Sequence, residues 1–413
     1  MRIAIVGTGI SGLICAYLLQ GDHELTIYEA NDYVGGHTNT VDVPAGDREW
    51  AVDTGFIVFN NWTYPNFIRL LDRLGVGSQA SEMSFSARDE SRDFEYNGAS
   101  LNALFAQRSN AFSPRFWRML RDISRFNKDA KALIKDSTSE LTLGEFVERN
   151  AYSRAFTELY LRPIGAAIWS ADPARFFEIS ALYAAQFFEN HGMLSVNNRP
   201  QWRTVKGGSR EYVRRIVATL HEPIRLSTPV RAIRRHTDRV EVESKDGIES
   251  FDNIIIAAHS DQALRMLGDP TEQEREILGA IAYQANETVL HTDQRVMPKR
   301  RRAWAAWNYH LHEQERGKAS LTYNMNILQT LDASEQFCVT LNKTADLAAD
   351  RILRRFEYHH PIYTRGTVAA QTRWAEINGP HRTWFCGAYW GFGFHEDGLK
   401  SGLRVCEKFG KSL

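Results

Sequence analysis

The sequence predicts an α/β protein whose parallel-sheet domain is discontinuous, assembled from separate stretches of chain with an α+β domain interleaved. Three observations carry this. A strand, a glycine turn, a helix and a second strand fill the first thirty residues. A second glycine pair follows at Gly35-Gly36. The C-terminal region repeats a strand, loop and helix from Thr383 onward. At 413 residues the chain exceeds one hydrophobic core, so two domains, or one with large insertions, are expected. With 43% hydrophobic and 24% charged residues the composition is that of a globular protein, which excludes general disorder.

The elements follow in order. Arg2-Ile3-Ala4-Ile5-Val6 is a β-branched run that stops at Gly7-Thr8-Gly9-Ile10-Ser11-Gly12. Leu13 to Leu19 reads as a helix with small and apolar residues towards the sheet. Leu25-Thr26-Ile27-Tyr28-Glu29 is a second strand ending in an acid. This is Rossmann-like grammar. From Asn61 to Gln201 the texture becomes helical, with Phe112, Phe116, Leu120, Ile123, Phe126 and Ala130 at helical spacing between basic residues. After Gly207-Gly208, strands are expected at Ile224–Leu226, Val230–Ile233 and Val240–Val242. Ile254 to Ala258 reads as a buried parallel strand. A second excursion near Glu287 carries Trp304, Trp307 and Tyr309, then Leu321, Tyr323 and Met325, and predicts an antiparallel sheet. Residues 1–60, 203–284 and 366–413 then form one domain, and 61–202 with 285–365 the other, substrate-binding one.

Charge and cysteine content exclude several function classes. Fifty basic residues balance fifty acidic ones, against a nucleic-acid binder. The cysteines Cys15, Cys338, Cys386 and Cys406 lie far apart, with no metal-ligand spacing, so no metal is expected and buried reduced thiols are. No apolar run reaches the roughly 20 residues that span a bilayer, and Met1 to Val6 is too short for a secretory core. A cytoplasmic protein is expected.

The glycine turn has a mechanical purpose. Gly7 allows a tight turn, Gly9 lets a pyrophosphate approach the backbone, and Gly12 packs helix against strand. The helix N-terminus then faces the phosphates. Glu29 is placed to accept the ribose hydroxyls, which disfavours a 2′-phosphate. Gly35-Gly36-His37-Thr38 and Val52-Asp53-Thr54-Gly55-Phe56 stand where a plain NAD dehydrogenase enters its second crossover helix. They suit backbone contact with a second phosphate or a ribityl chain; an ordinary hairpin turn is the plainer alternative.

Together with Cys386-Gly387, Gly398 and Ser401-Gly402, these motifs resemble the flavin amine oxidase superfamily of monoamine oxidases, protoporphyrinogen oxidases and carotenoid desaturases. Leu290-His291-Thr292-Asp293, Ala303 to Tyr309, Thr340-Leu341-Asn342 and Gly387 to Gly398 resemble more closely a bacterial group of desaturase-like FAD proteins. That group is often encoded beside cyclopropane-fatty-acid-synthase-like methyltransferases. The resemblance implies non-covalent FAD held by Gly7, Gly9, Ser11, Gly12, Glu29, Gly35, Gly36, His37, Thr38, Gly55, Phe56, Val230, Gly387, Ala388, His395, Glu396 and Ser401. Ser11 and Gly12 would meet the pyrophosphate, the Val230 backbone the adenine, and the His395 amide the flavin pyrimidine carbonyl. Phe394 would sit beside the isoalloxazine. Two departures stand out: His37 replaces the superfamily's usual arginine, and Ala388 its usual acid.

His291, Phe394 and Tyr389 are the catalytic candidates. His291 lies on the strand where amine oxidases place a lysine, and an ordinary hydrogen-bonded histidine is the alternative. Asn324 and Asn326 suit either a polar head or a turn, and Lys299 to Arg302 reads as a solvated loop. Three functions are weighed. FAD-dependent dehydrogenation of a hydrophobic, fatty-acyl substrate leads; amine oxidation and a flavoprotein that binds lipid or a partner without turnover are the alternatives. Residues 112–135 carry an aromatic stripe among seven basic residues, which predicts either peripheral contact with the inner membrane face or an inward-packed helix.

Overall fold

The computed structural model describes residues 1–413 apart from 171, 173–174, 196 and 312–317. A four-stranded parallel sheet lies at its centre in the order Thr383–Phe385, Asn253–Ile256, Arg2–Val6, Glu24–Tyr28. The β-branched runs form these strands because both faces are covered. Ile3, Ile5 and Ile255 pack under the helices Ile10–Leu19 and His395–Lys408. Ala4, Ile254 and Ile256 pack against the antiparallel meander Ala232–Arg235, Val240–Ser244 and Gly247–Phe251. The two helices touch closely. A Cβ on Gly402 would lie 2.4 Å from Ile14 Cγ2 and 2.7 Å from the Ser11 carbonyl oxygen.

A seven-stranded sheet runs in the order Ile352–Pro361, Tyr283–His291, Cys338–Leu341, Leu321–Asn324, Trp307–Leu311, Phe85–Asp89, Phe94–Asn97. All its pairings are antiparallel except that of Trp307–Leu311 with Phe85–Asp89. One face buries Leu290, Val339, Met325 and Phe337 against Val52 and Ile57 of the glycine-rich N-terminal region. The long strand starts at Tyr283, ahead of the division expected at 284/285. A helical layer holds Pro114–Asp136, Arg162–Trp169 and Ala181–Asn190.

Several local expectations change. Ile224–Leu226 is not a strand: Arg225 makes one bridge to Tyr28 before Ser227 turns the chain at φ +48°. The strand after it begins at Ala232, beyond Val230. Trp304 lies outside the sheet, and Met325 opens a short helix that the Asn324 side chain caps, accepting the Ile327 amide at 3.1 Å. Asn326 closes the following turn by donating to the Leu331 and Glu335 carbonyls. Both asparagines are thus turn formers. Lys299 and Arg300 are not merely solvated, since their amides donate to the buried Glu95 carboxylate, both at 2.9 Å.

Phe112 lies outside the long helix, which Ser113 caps and Pro114 starts. Phe116, Met119 and Phe126 of the apolar stripe pack inward, whereas Phe112 and Trp117 are exposed. Arg125 turns to Asp122 and the Asn150 carbonyl. No helix among the described residues is long and apolar enough to cross a membrane.

Candidate cofactor and substrate site

The glycine turn is a cradle with one open place. A Cβ on Gly12 would stand 2.0 Å from the Gly7 carbonyl oxygen, so this glycine is required for the turn to pack against the helix. Gly7 adopts φ +99° and abuts Ala257. At Gly9 a Cβ would meet nothing within 4 Å. Gly9 is the helix N-cap and supplies no side-chain bond, so the first-turn amides face that space with their partial positive charge. An uncapped helix end beside a vacant glycine face fits a dinucleotide phosphate.

The second motif closes on the first. Gly36 sits at φ +58° with its missing Cβ 3.2 Å from Gly9 Cα, and Gly55 is required because its Cβ would be 2.1 Å from the His37 carbonyl. Phe56 N–H donates to that carbonyl at 2.8 Å. Thr38 hydroxyl bonds Tyr212 hydroxyl at 2.6 Å, and Gly35 N–H reaches Thr8 Oγ1 at 3.3 Å. Glu29 is buried and accepts the Thr8 amide, the Thr8 hydroxyl and the Asn31 amide at 3.0, 2.5 and 2.8 Å. Its carboxylate keeps lone pairs for ribose hydroxyls. Val230 lies just before the meander, whose pairing begins with Arg231 N–H to Glu243 O at 2.8 Å.

The C-terminal motif serves structure more than the resemblance implies. Ser401 hydroxyl accepts Gly387 N–H at 3.0 Å and ties the terminal helix to the loop after the last strand, and Ser11 hydroxyl donates to the Gly398 carbonyl at 2.8 Å and fastens the first helix to the last. Glu396 is no cofactor ligand through its side chain. Its carboxylate takes the Asn66 amide, Asn66 side chain and Phe67 amide at 3.1, 2.7 and 2.9 Å, capping the helix Pro65–Leu74. The His395 ring stacks on Phe56 at 3.7 Å and stands edge-on to Phe67, its Nε2 is enclosed without a partner, and its backbone N–H is first in the terminal helix. Burial holds that ring down to about 3. Ala388 begins a single turn directly after Gly387.

Of the catalytic candidates, Phe394 alone joins a large group of aromatic rings. It is the N-cap of the terminal helix, with its ring 5.0 Å from Phe187 and 5.7 Å from His191. Phe392, Tyr183 and Trp169 extend this aromatic group. Tyr389 is buried elsewhere, with Phe385 and Ala370, because Gly387 leaves room for its ring. His291 is also corrected. Its Nε2 donates to Thr340 Oγ1 at 2.7 Å, and its Nδ1 accepts the Asp293 amide at 3.0 Å. Both nitrogens are spent, and the ring shares a strand face with Val289, which packs on Val296 and Leu347. Leu290 takes the face towards Ile57.

His191 was not anticipated. It stacks on Phe187 at 3.9 Å and lies 6.1 Å from Trp202. Its Nδ1–H donates to the Phe187 carbonyl at 2.9 Å, which leaves Nε2 as a lone-pair acceptor. Burial pushes the ring down to about 4, so it is neutral at pH 7. The only local signal is a helix end at Gly192 (φ +67°), which does not mark a site in sequence.

Known proteins agree with this geometry. The model of the flavin-containing amine oxidoreductases matches residues 10–408. An L-amino-acid oxidase of Siganus canaliculatus is 25% identical over 312 residues, covering 70% of this chain and 56% of that protein. Amine oxidase [flavin-containing] B of Bos taurus is 25% identical over 59% of this chain and 47% of its own length. A 15-cis-phytoene desaturase of Synechococcus elongatus is 36% identical over 87 residues, 21% of this chain and 18% of that protein. The chain spans about half the length of the first two. The crystal structure of a CLA-producing fatty acid isomerase from P. acnes superposes with a TM-score of 0.72 at 16% identity, covering 99% of this chain and 98% of that one. Cyclohexylamine oxidase from Brevibacterium oxydans gives 0.71 at 16% identity, covering 99% of both chains. At such identities the likeness is one of fold. With the uncapped glycine turn, the second glycine pair and a family match along nearly the whole sequence, the chain belongs to the flavin-containing amine oxidoreductase family.

Proposed function

We propose that the chain binds FAD non-covalently and dehydrogenates an apolar, fatty-acyl substrate. The observation that carries this is the aromatic group of Phe394, Phe187, Phe392, Tyr183 and Trp169 at the N-terminus of the terminal helix, a surface suited to hydrocarbon. Bound flavin supplies the hydride acceptor. The residues supply the rest. Phe394 and Phe187 hold the chain and exclude water, and His191 Nε2 takes the proton.

Anaerobic addition of acyl lipids, polyamines, amino acids and porphyrinogens tests the reading by loss of visible flavin absorbance. Bleaching by a lipid supports it. The matches to amine and amino-acid oxidases favour amine oxidation as a second reading, which bleaching by an amine alone would establish. With no bleaching by any of them, a binding flavoprotein without turnover is the better account. His191→Gln is expected to leave flavin content unchanged and slow bleaching by about 10²-fold or more, with the fall in rate on acidification through about pH 4 flattened. Unchanged bleaching would remove His191 from the mechanism.

A lipid surface completes the proposal. Leu101, Phe112 and Trp117 are 77%, 87% and 51% exposed, and Arg118 and Arg121 are exposed on the adjoining helix. Apolar wedges ringed by basic charge suit an anionic bilayer. Binding to anionic but not neutral vesicles, weakened by Trp117→Ala and by Arg118→Glu with Arg121→Glu, is the expected result. Equal recovery in the supernatant with either vesicle overturns it.

A further inference from the structure

Three histidines from separate stretches of chain meet beside the second glycine pair. The His37 ring centre lies 5.5 Å from that of His360, 5.9 Å from His259 and 5.1 Å from Tyr358. His37 directly follows Gly36, which lies against Gly9 of the phosphate turn. His259 follows the strand Asn253–Ile256, two residues beyond Ala257, which abuts Gly7. The cluster therefore borders the turn through two independent connections.

Its bonding is incomplete within the protein. His37 Nε2 is enclosed and has no partner. The Asn286 amide donates to His360 Nδ1 at 2.9 Å, which leaves Nε2 to carry that ring's proton. His259 lies flat on Tyr283 at 4.5 Å. Among the surrounding polar groups, Tyr358 hydroxyl bonds Thr54 and Asn39 and His359 bonds Glu357 at 3.0 Å, while Asp261 pairs with Arg265 through Oδ2 at 2.7 Å and keeps an enclosed Oδ1 without a partner. His395, on the terminal helix, adds a further neutral ring acted on by His37. Packed imidazoles with an idle nitrogen are costly unless a ligand completes them.

We propose that His37, His259 and His360 form a protonatable seat for the diphosphate of the dinucleotide, so that cofactor binding takes up a proton. This rests on the flavin reading above. In the free protein burial and mutual repulsion push His37 down to about 4 and His259 and His360 to about 3, so the cluster is neutral at pH 7. An adjacent negative charge raises such a group by about 1 to 3 units, and a diphosphate carries two. The first proton opposes the second, so uptake approaches one rather than three. The sign follows: affinity rises as pH falls, by about tenfold per pH unit wherever one proton is taken up.

Calorimetric titration of deflavinated protein with FAD, in two buffers of different ionisation enthalpy between pH 6 and 8.5, measures the uptake directly. Uptake approaching one proton per FAD is expected at pH 6 and falls towards zero by pH 8.5, with a dissociation constant that climbs over the part of the range where the proton is taken up. His37→Arg should abolish uptake and retain tight binding at pH 8.5, because a guanidinium is always charged. His37→Gln should abolish uptake and bind weakly throughout, and His360→Asn should reduce uptake in a protein whose far-ultraviolet spectrum is unchanged. FAD binding without proton uptake, or uptake that persists in both His37 variants, overturns the seat while flavin binding stands. Absence of FAD binding at every pH overturns both readings.

Discussion

Gly9→Val is expected to yield a folded protein without flavin, and Gly12→Val little folded protein at all. The two glycines sit three residues apart in one turn, yet their surroundings are opposite. A Cβ at Gly12 would overlap the Gly7 carbonyl at 2.0 Å and crowd Ala257 Cβ at 3.2 Å. Backbone cannot yield there without parting the helix from the sheet, a cost above the usual 1–3 kcal/mol of overpacking. At Gly9 the backbone is extended (φ −63°, ψ 174°), a conformation valine adopts readily, and its side chain enters open space. Thermal stability of the flavin-free Gly9→Val protein should match the flavin-free parent within about 0.5 kcal/mol. Its flavin-to-protein absorbance ratio should fall at least about tenfold, because two methyl groups fill the phosphate approach. Normal flavin content in Gly9→Val would displace the phosphate from this turn.

Asp53→Ala is expected to cost about 3–5 kcal/mol and to loosen the N-terminal region from the segment that follows the strand Leu321–Asn324. Asp53 is fully buried at the end of the strand Arg48–Asp53. Its Oδ1 accepts Thr40 Oγ1, Ser209 N and Ser209 Oγ at 2.6, 2.9 and 2.8 Å, and its Oδ2 accepts Gln329 Nε2 at 3.1 Å. Gln329 belongs to the seven-stranded-sheet side and returns an acceptor to the Asp53 amide at 2.9 Å. Removing the carboxylate leaves those donors buried without a partner. Burial pushes Asp53 up to about 6 despite these donors. The linkage sign follows. The contribution of its protonated form is full below the unfolded value near 3.8 and is lost as pH rises through about 6. The stability advantage of the parent over Asp53→Asn should therefore shrink by up to about 3 kcal/mol between pH 4 and pH 7 in denaturant titrations. A difference independent of pH would show that Asp53 is ionised throughout that range.

Much of the fold was legible in sequence because its signals are local. The run Arg2–Val6, the turn through Gly12 and the acid Glu29 lie within thirty residues, and Gly7 and Gly12 mark backbone contacts that a side chain would prevent. Alternating aromatics likewise pointed to an antiparallel sheet, in which the structure pairs Trp307 with Tyr323. The errors came where a local pattern had two outcomes. His291 fits a site strand equally well on either face, and only its bonds to Thr340 and Asp293 select the face turned away from Ile57. Glu396 looks like a cofactor neighbour until the amides of Asn66 and Phe67, over 300 residues away, claim its carboxylate.

What the sequence determined by itself is therefore the dinucleotide turn, since strand propensity, glycine freedom and helix polarity act over a few residues. The tertiary structure decided the rest. His191 gains meaning only when the helix Ala181–Asn190 brings it beside Phe394, and the cluster around His37 exists only because His259 and His360 arrive from two distant strands. Those placements depend on which buried faces pack together, and burial couples residues without regard to their distance along the chain.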